Sequence, residues 1–177
     1  MSQLIVYRSA RPDDALMLSV LATQVFLDTY ATRGVSLDFA REATTVYSLD
    51  AFVQRLQQPG VEITVATSGE SLVGFLDLDW TTQCPVPSVQ GLEVLRLYVQ
   101  APFQRCGVGK ALMSLAERKA RERRAPHVWL TAWSGNDRAR AFYVASGYTD
   151  VGVSQHVIEG TAYENRVFAK RTPERAD

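Results

Sequence analysis

Seven residues, Gln104-Arg105-Cys106-Gly107-Val108-Gly109-Lys110, carry what a main chain needs to hold an anion. They follow an apolar run, Leu92 to Val99, and open an amphipathic one, Lys110 to Arg123. Strand, glycine loop and helix in that order aim backbone N–H groups at a ligand, with the positive end of the helix dipole behind them. Glycine lets the backbone approach closely. A phosphate ester fits such a cradle, and its charge would be met by amides rather than by a metal. The plainer alternative is a helix start whose glycines serve only tight packing.

Three other residue types bear on chemistry. Cys106 lies near a helix start, which lowers a thiol's pKa, but no histidine partner is evident, so covalent catalysis is not expected. His127 and His156 lack metal-ligand spacing. Two cysteines, Cys84 and Cys106, are too few for a disulfide framework or a cysteine-based zinc site. Glu93 is the sharpest side chain. Two-residue alternation puts it on one face with Leu95, Leu97 and Val99. A carboxylate at the end of an apolar face is unusual, and partial burial would raise its pKa toward that of a working base. The alternative is a strand-end glutamate in solvent or paired with an arginine.

The elements that must position these groups read as follows. Leu4 to Tyr7 is a short strand, and Pro12-Asp13-Asp14 starts a helix that runs to Tyr30. Its apolar face is Leu16, Val20, Leu21, Val25 and Leu27. A second helix covers Leu49 to Gln57, stopped by Pro59-Gly60; residues 31–48 give no clear pattern. Val61 to Thr67 and Ser71 to Trp80 form a hairpin about Ser68-Gly69-Glu70. Gln90 to Val99 is a strand and Gly107 to Arg124 a helix. Val128 to Trp133 is a strand, and Ser134-Gly135-Asn136-Asp137 caps a helix from Arg138 to Ser146, with Gly147 at its end. Tyr148 to Ile158 and Tyr163 to Lys170 are the last strands, turning at Glu159-Gly160. The order βααβββαβαββ implies one α/β domain with a mixed sheet flanked by helices.

These blocks together resemble the GCN5-related N-acetyltransferases. Gln104-x-x-Gly107-x-Gly109 after Leu97-Tyr98-Val99 matches that family's acyl-CoA signature. Asn136-Asp137-x-Ala139-x-x-Phe142-Tyr143-x-x-x-Gly147-Tyr148 matches its second block, and Arg8-x-Ala10 with Asp13-Asp14 fits its opening. The resemblance spans nearly the whole chain. It implies a sheet with splayed strands that bind acyl-CoA, and transfer of an acetyl group from acetyl-CoA to a primary amine by direct attack in a ternary complex.

The resemblance also implies roles. Gln104, Arg105, Cys106, Gly107, Val108, Gly109 and Lys110 would surround the diphosphate of coenzyme A. Leu97, Tyr98 and Val99 would line the pantetheine arm through their backbone, with Leu97 N–H directed at the thioester oxygen. Glu93 falls where the histone-acetylating branch carries its base, although several members use water chains instead. Tyr143 would protonate the leaving thiolate; the plain alternative is a core aromatic. Asn136 would touch the pantetheine arm, cap its helix, or both. Trp80, Trp129 and Trp133 are expected in the core or along the cleft.

Acceptor choice falls to the first helices and the last hairpin, which carry Asp28, Asp38, Glu42, Glu159 and Glu164. Acids there would attract a polyamine or a basic peptide end, unless they are ordinary solvated charges.

Composition sets the outer limits. With 177 residues, 46% hydrophobic and 21% charged, the chain is sized for one domain, taken as residues 1–171, with 172–177 as a solvated tail. A formal net charge of +0 argues against a nucleic-acid partner that relies on a broad basic surface. No apolar run reaches the roughly 20 residues needed to span a bilayer, and the start lacks a signal-peptide pattern, so a cytoplasmic protein with no membrane partner is expected. Dimers are common in the family, which suggests a homodimer. A dinucleotide-binding fold is disfavoured because the glycine loop comes late and G-x-G-x-x-G is absent. The main rival reading keeps the fold without catalysis, as an acyl-CoA sensor or partner-binding module.

Overall fold

The computed structural model describes residues 4–173. Its strands are β1 (Ile5–Ser9), β2 (Val61–Ser68), β3 (Ser71–Asp79), β4 (Gly91–Val99), β5 (His127–Trp133), β6 (Thr149–Ile158) and β7 (Thr161–Arg171). Its α-helices are α1 (Ala15–Tyr30), α2 (Leu37–Thr45), α3 (Leu49–Gln57), α4 (Val108–Glu122) and α5 (Asp137–Ala145). The strands are hydrogen-bonded in the order β1-β2-β3-β4-β5-β7-β6. This is the mixed α/β architecture expected. Residues 174–177 of the expected tail lie outside the described residues. Thr172, at its start, donates its N–H to the Pro126 carbonyl at 2.8 Å.

The chain packs as two compact units. The first holds the residues up to Asp77 together with Arg96–Leu112. Here β1 pairs antiparallel with β2, from Ile5 opposite Ser68 to Ser9 opposite Thr64. The buried stripe of α1 is Ala15, Leu18, Leu21, Ala22 and Phe26. That corrects the expected face, because Leu16 and Val20 point outward. The helix is apolar nearly all round, so spacing alone could not choose a side. Ala15 and Ala22 face inward, where small side chains permit close approach.

Within residues 31–48 the structure adds α2, which the sequence pattern missed. None of its residues is fully buried, so its apolar side chains are only partly covered. It is held by a cap, with Phe39 N donating to Ser36 Oγ at 3.2 Å. Phe39 also meets Phe26 edge-on at 5.8 Å. The α3 boundaries are those expected, with Ser48 as cap and Phe52 buried.

The second unit holds Leu78–Leu95 and the chain from Met113. The parallel ladder between β4 and β5 is three residues long: Gly91, Leu92 and Glu93 opposite His127, Val128 and Trp129. β5 then pairs antiparallel with β7 over its whole length. A long hairpin joins β6 and β7, with an irregularity between Asp150 and Gly152. Val89, Trp129, Val167 and Ala169 form a buried cluster against which Cys84, Val86 and Val151 pack.

Candidate active site

In the first unit, β4 ends at Val99 and the glycine loop follows. Two of its residues adopt left-handed backbone, Arg105 at φ 61° and Gly107 at φ 85°. A non-glycine residue there is strained and is found preferentially at functional sites. Gly107 caps α4, its carbonyl accepting Ala111 N at 2.9 Å. No atom lies within 4 Å of where a Cβ on Gly107 would stand. Packing therefore does not require this glycine; its positive φ does, and the space above it is open. That arrangement suits a diphosphate approaching the backbone. Arg105, Cys106 and Lys110 are exposed around it, Gly109 is partly covered, and Val108 is buried as the anchor of the first turn.

The Gln104 side chain turns back onto the strand. Its Nε2 donates to the Val99 carbonyl at 2.8 Å. The amide therefore latches the loop onto the end of β4. Cys106 Sγ donates to the Gln104 carbonyl at 3.4 Å, a further tie inside the loop.

Leu97, Tyr98 and Val99 lie side by side on the strand that feeds this loop. Gln100 N donates to the Val73 carbonyl at 3.0 Å. A Cβ on Gly74 would come within 2.8 Å of the Tyr98 carbonyl. The sequence reading missed this glycine; a lone glycine inside a strand pattern was its signal. The Tyr98 ring packs on Phe75 with centroids 5.4 Å apart, and its hydroxyl lies 3.3 Å from that of Tyr47. Burial pushes the Tyr98 phenol well above its ordinary range. Arg96 Nη1 binds the fully buried Asp77 at 2.7 Å, and Arg55 binds the same carboxylate at 2.9 Å. This ion cluster holds β3, β4 and α3 together.

In the second unit, Glu93 is only 6% exposed. Its opposite number, Trp129, is buried, and the indole Nε1 donates to the Gly91 carbonyl at 3.3 Å. The expected alternation fails at Leu95, which is 40% exposed, whereas Leu92, Glu93 and Val94 are all buried. A strand covered on both faces loses its alternation, and Leu95 lies beyond the three-residue ladder. The Cys84 thiol is pushed up by burial first; a main-chain bond from Val86 lowers it and the nearby Glu93 charge raises it again. Glu93 is thus a buried carboxylate whose charge acts on the Cys84 thiol.

α5 carries the other two residues. Asn136 caps it, its Oδ1 accepting Ala139 N at 3.1 Å. Tyr143, two turns on, is buried among Phe142, Tyr148 and Phe168, with centroids at 5.3, 6.2 and 5.9 Å. Burial raises the phenol's pKa far above its usual value, so it remains protonated. Among the described residues no group hydrogen-bonds its hydroxyl. Trp129 is core, Trp80 lies under the Arg123 guanidinium at 4.3 Å, and the Trp133 ring would stand 2.6 Å from a Cβ on Gly135.

The acetyltransferase (GNAT) family matches residues 29–148. The chain belongs to that family. This GNAT protein is an acyltransferase that takes its acetyl group from acetyl-CoA and delivers it to an amine. An uncharacterized N-acetyltransferase in the pepI 3′ region of Lactobacillus delbrueckii subsp. lactis is 30% identical to it over 138 residues, which is 77% of this chain and 79% of that protein. Solved structures share the fold. PaiA N-acetyltransferase of Thermoplasma acidophilum, crystallised with coenzyme A, is 19% identical with a TM-score of 0.74, covering 95% of this chain and 99% of that one. Arabidopsis thaliana NAA60, solved with a bisubstrate analogue, is 16% identical with a TM-score of 0.71, covering 95% and 98%.

No group of three or more potential metal ligands is found among the described residues, and none of the described helices is long and apolar enough to cross a membrane. Glu42 adds to the rise of the Tyr47 phenol, which burial mainly causes. Asp28 and Glu164 are exposed.

Proposed function

We propose that the chain acetylates a primary amine by direct attack, with both substrates bound at once. The observation that carries this reading is the left-handed loop at Arg105 and Gly107, whose open face offers main-chain amides to the diphosphate of coenzyme A. Arg105, Cys106, Gly107, Val108, Gly109 and Lys110 hold that group, and Gln104 fixes the loop to β4. Leu97, Tyr98 and Val99 bind the pantetheine arm by their backbone, and Asn136 adds a contact while capping α5. When bound, acetyl-CoA supplies the activated acetyl group as its thioester.

The remaining chemistry falls to this chain's residues. Leu97 N–H donates to the thioester oxygen as negative charge develops there, an interaction worth about 3 kcal/mol in comparable sites. Glu93 takes the proton that the amine must lose before its lone pair can attack, directly or through water. Tyr143 keeps its proton at neutral pH and gives it to the departing thiolate. The polyamine or basic-peptide lean rests on Asp28, Asp38, Glu42, Glu159 and Glu164. The reaction takes place in the cytoplasm, within one domain, residues 1–171, that pairs as a homodimer.

The test is calorimetry with coenzyme A on the wild type and Gly107→Val, followed by a thiol-release assay with acetyl-CoA and a panel of amines. The substitution should weaken coenzyme A binding at least about tenfold without lowering thermal stability by more than about 2 kcal/mol. Wild type should release thiol only when an amine is present. Tight coenzyme binding with no amine-dependent release across the panel would favour the sensor reading.

A further inference from the structure

We infer that Lys170 is a positioning residue for the reaction: it fixes the last turn of α5 and, through that turn, the Tyr143 hydroxyl. The inference rests on the reading of Tyr143 as the proton donor. With nine residues, α5 is too short to be stable unaided. Its N-terminus is held by the Asn136 cap and by Arg140, which donates to the Ser134 carbonyl at 3.0 Å. Its C-terminus leaves carbonyls without helical partners. Lys170 Nζ, projecting from β7, meets the Ser146 carbonyl at 3.0 Å. A cation at this end of a helix also complements the dipole.

The lysine is itself aimed. Glu117 Oε1 on α4 accepts from Nζ at 2.8 Å and from the Tyr148 hydroxyl at 3.3 Å. The ammonium stands 5.5 Å from the Tyr148 ring centroid. Both charged side chains are two-thirds or more covered, at 33% and 21% exposure. The chain reverses at Gly147, φ 84°, where a Cβ would lie 3.6 Å from Lys170 Cε.

These contacts lead directly to the tyrosine. Ser146 N and Tyr148 N both donate to the Tyr143 carbonyl at 3.0 Å. Tyr148, just before β6 and under the Lys170 ammonium, and Phe168, two residues before that lysine on β7, both pack on the Tyr143 ring. Glu117, Ser146 and Lys170 thus form one clamp on the turn that carries the phenol. A donor displaced by about 1 Å can lose up to a hundredfold in rate. The clamp therefore matters to turnover more than to coenzyme binding.

The experiment compares Lys170→Met and Lys170→Arg in wild-type and Tyr143→Phe backgrounds, with kcat and the KM for acetyl-CoA measured for each. Lys170→Met should lower kcat about tenfold while KM moves less than about twofold, and Lys170→Arg should recover most of the loss. In the Tyr143→Phe background, Lys170→Met should change kcat less than about twofold, because the group it positions is gone. A full tenfold loss in that background would overturn the inference. If Tyr143→Phe alone keeps full turnover, the proton-donor reading fails first and the inference with it. Should Lys170→Met not fold, Glu117→Gln is measured in both backgrounds. Additive losses from it would overturn the inference, and losses confined to the wild-type background would support it.

Discussion

At the scale of single residues, both proposed proton-transfer groups are buried. Tyr143 is held protonated by its apolar surroundings, so the donor form persists through the neutral range. Tyr143→Phe should lower kcat at least about tenfold with coenzyme A affinity unchanged. Full turnover at saturating acetyl-CoA would take the residue out of the mechanism. Its raised pKa also fixes a sign: any loss of activity on the basic side below about pH 10 belongs to another group. For Glu93 as the proposed base, the sign is opposite. A carboxylate base must be ionised, so activity falls as pH drops through its pKa. Glu93→Gln should abolish that acidic limb, and a superimposable pH profile would pass the role to water or another group. The same variant removes a negative charge near Cys84, so the thiol should be alkylated at a lower pH than in wild type.

At the scale of elements, the decisive feature is how β4 begins and ends. It begins at Gly91, φ 143°, where a Cβ would fall on the His127 carbonyl of β5. Only glycine allows that approach, and the three-residue ladder starts there. Gly91→Ala should destabilise the protein by about 3 kcal/mol or more, read as a shift in denaturant midpoint at constant slope. An unchanged midpoint would mean that β4 and β5 can separate at little cost. The strand ends where Gln104 latches the Val99 carbonyl. The motif names this glutamine but does not say where its side-chain amide points; the structure turns it back onto its own strand.

At the scale of the whole molecule, β3, β4 and α4 each have residues in both compact units. Strands and helices propagate order along their length, which favours one cooperative transition over two. Scanning calorimetry should show a single peak, and a homodimer would move it upward with protein concentration. Two resolved peaks would divide the domain proposed for residues 1–171. A midpoint that ignores concentration would remove the dimer.

What the sequence determined by itself is local. The glycine loop, the Asn136 cap, the α3 stop and the hairpin turns are written in neighbouring residues, because backbone conformation and end-capping act over a few positions. The tertiary structure alone decided what depends on residues far apart in the chain. The inward face of α1 was settled by what packs against it, since its apolar residues surround the axis. α2 is held by its cap and by Phe39 against Phe26, although none of its residues is fully buried. Glu93 is buried where β4 pairs with β5, and the end of α5 is clamped because residues 117, 146 and 170 converge. Periodicity reports which residues are apolar, but burial depends on which other parts of the chain arrive to cover them.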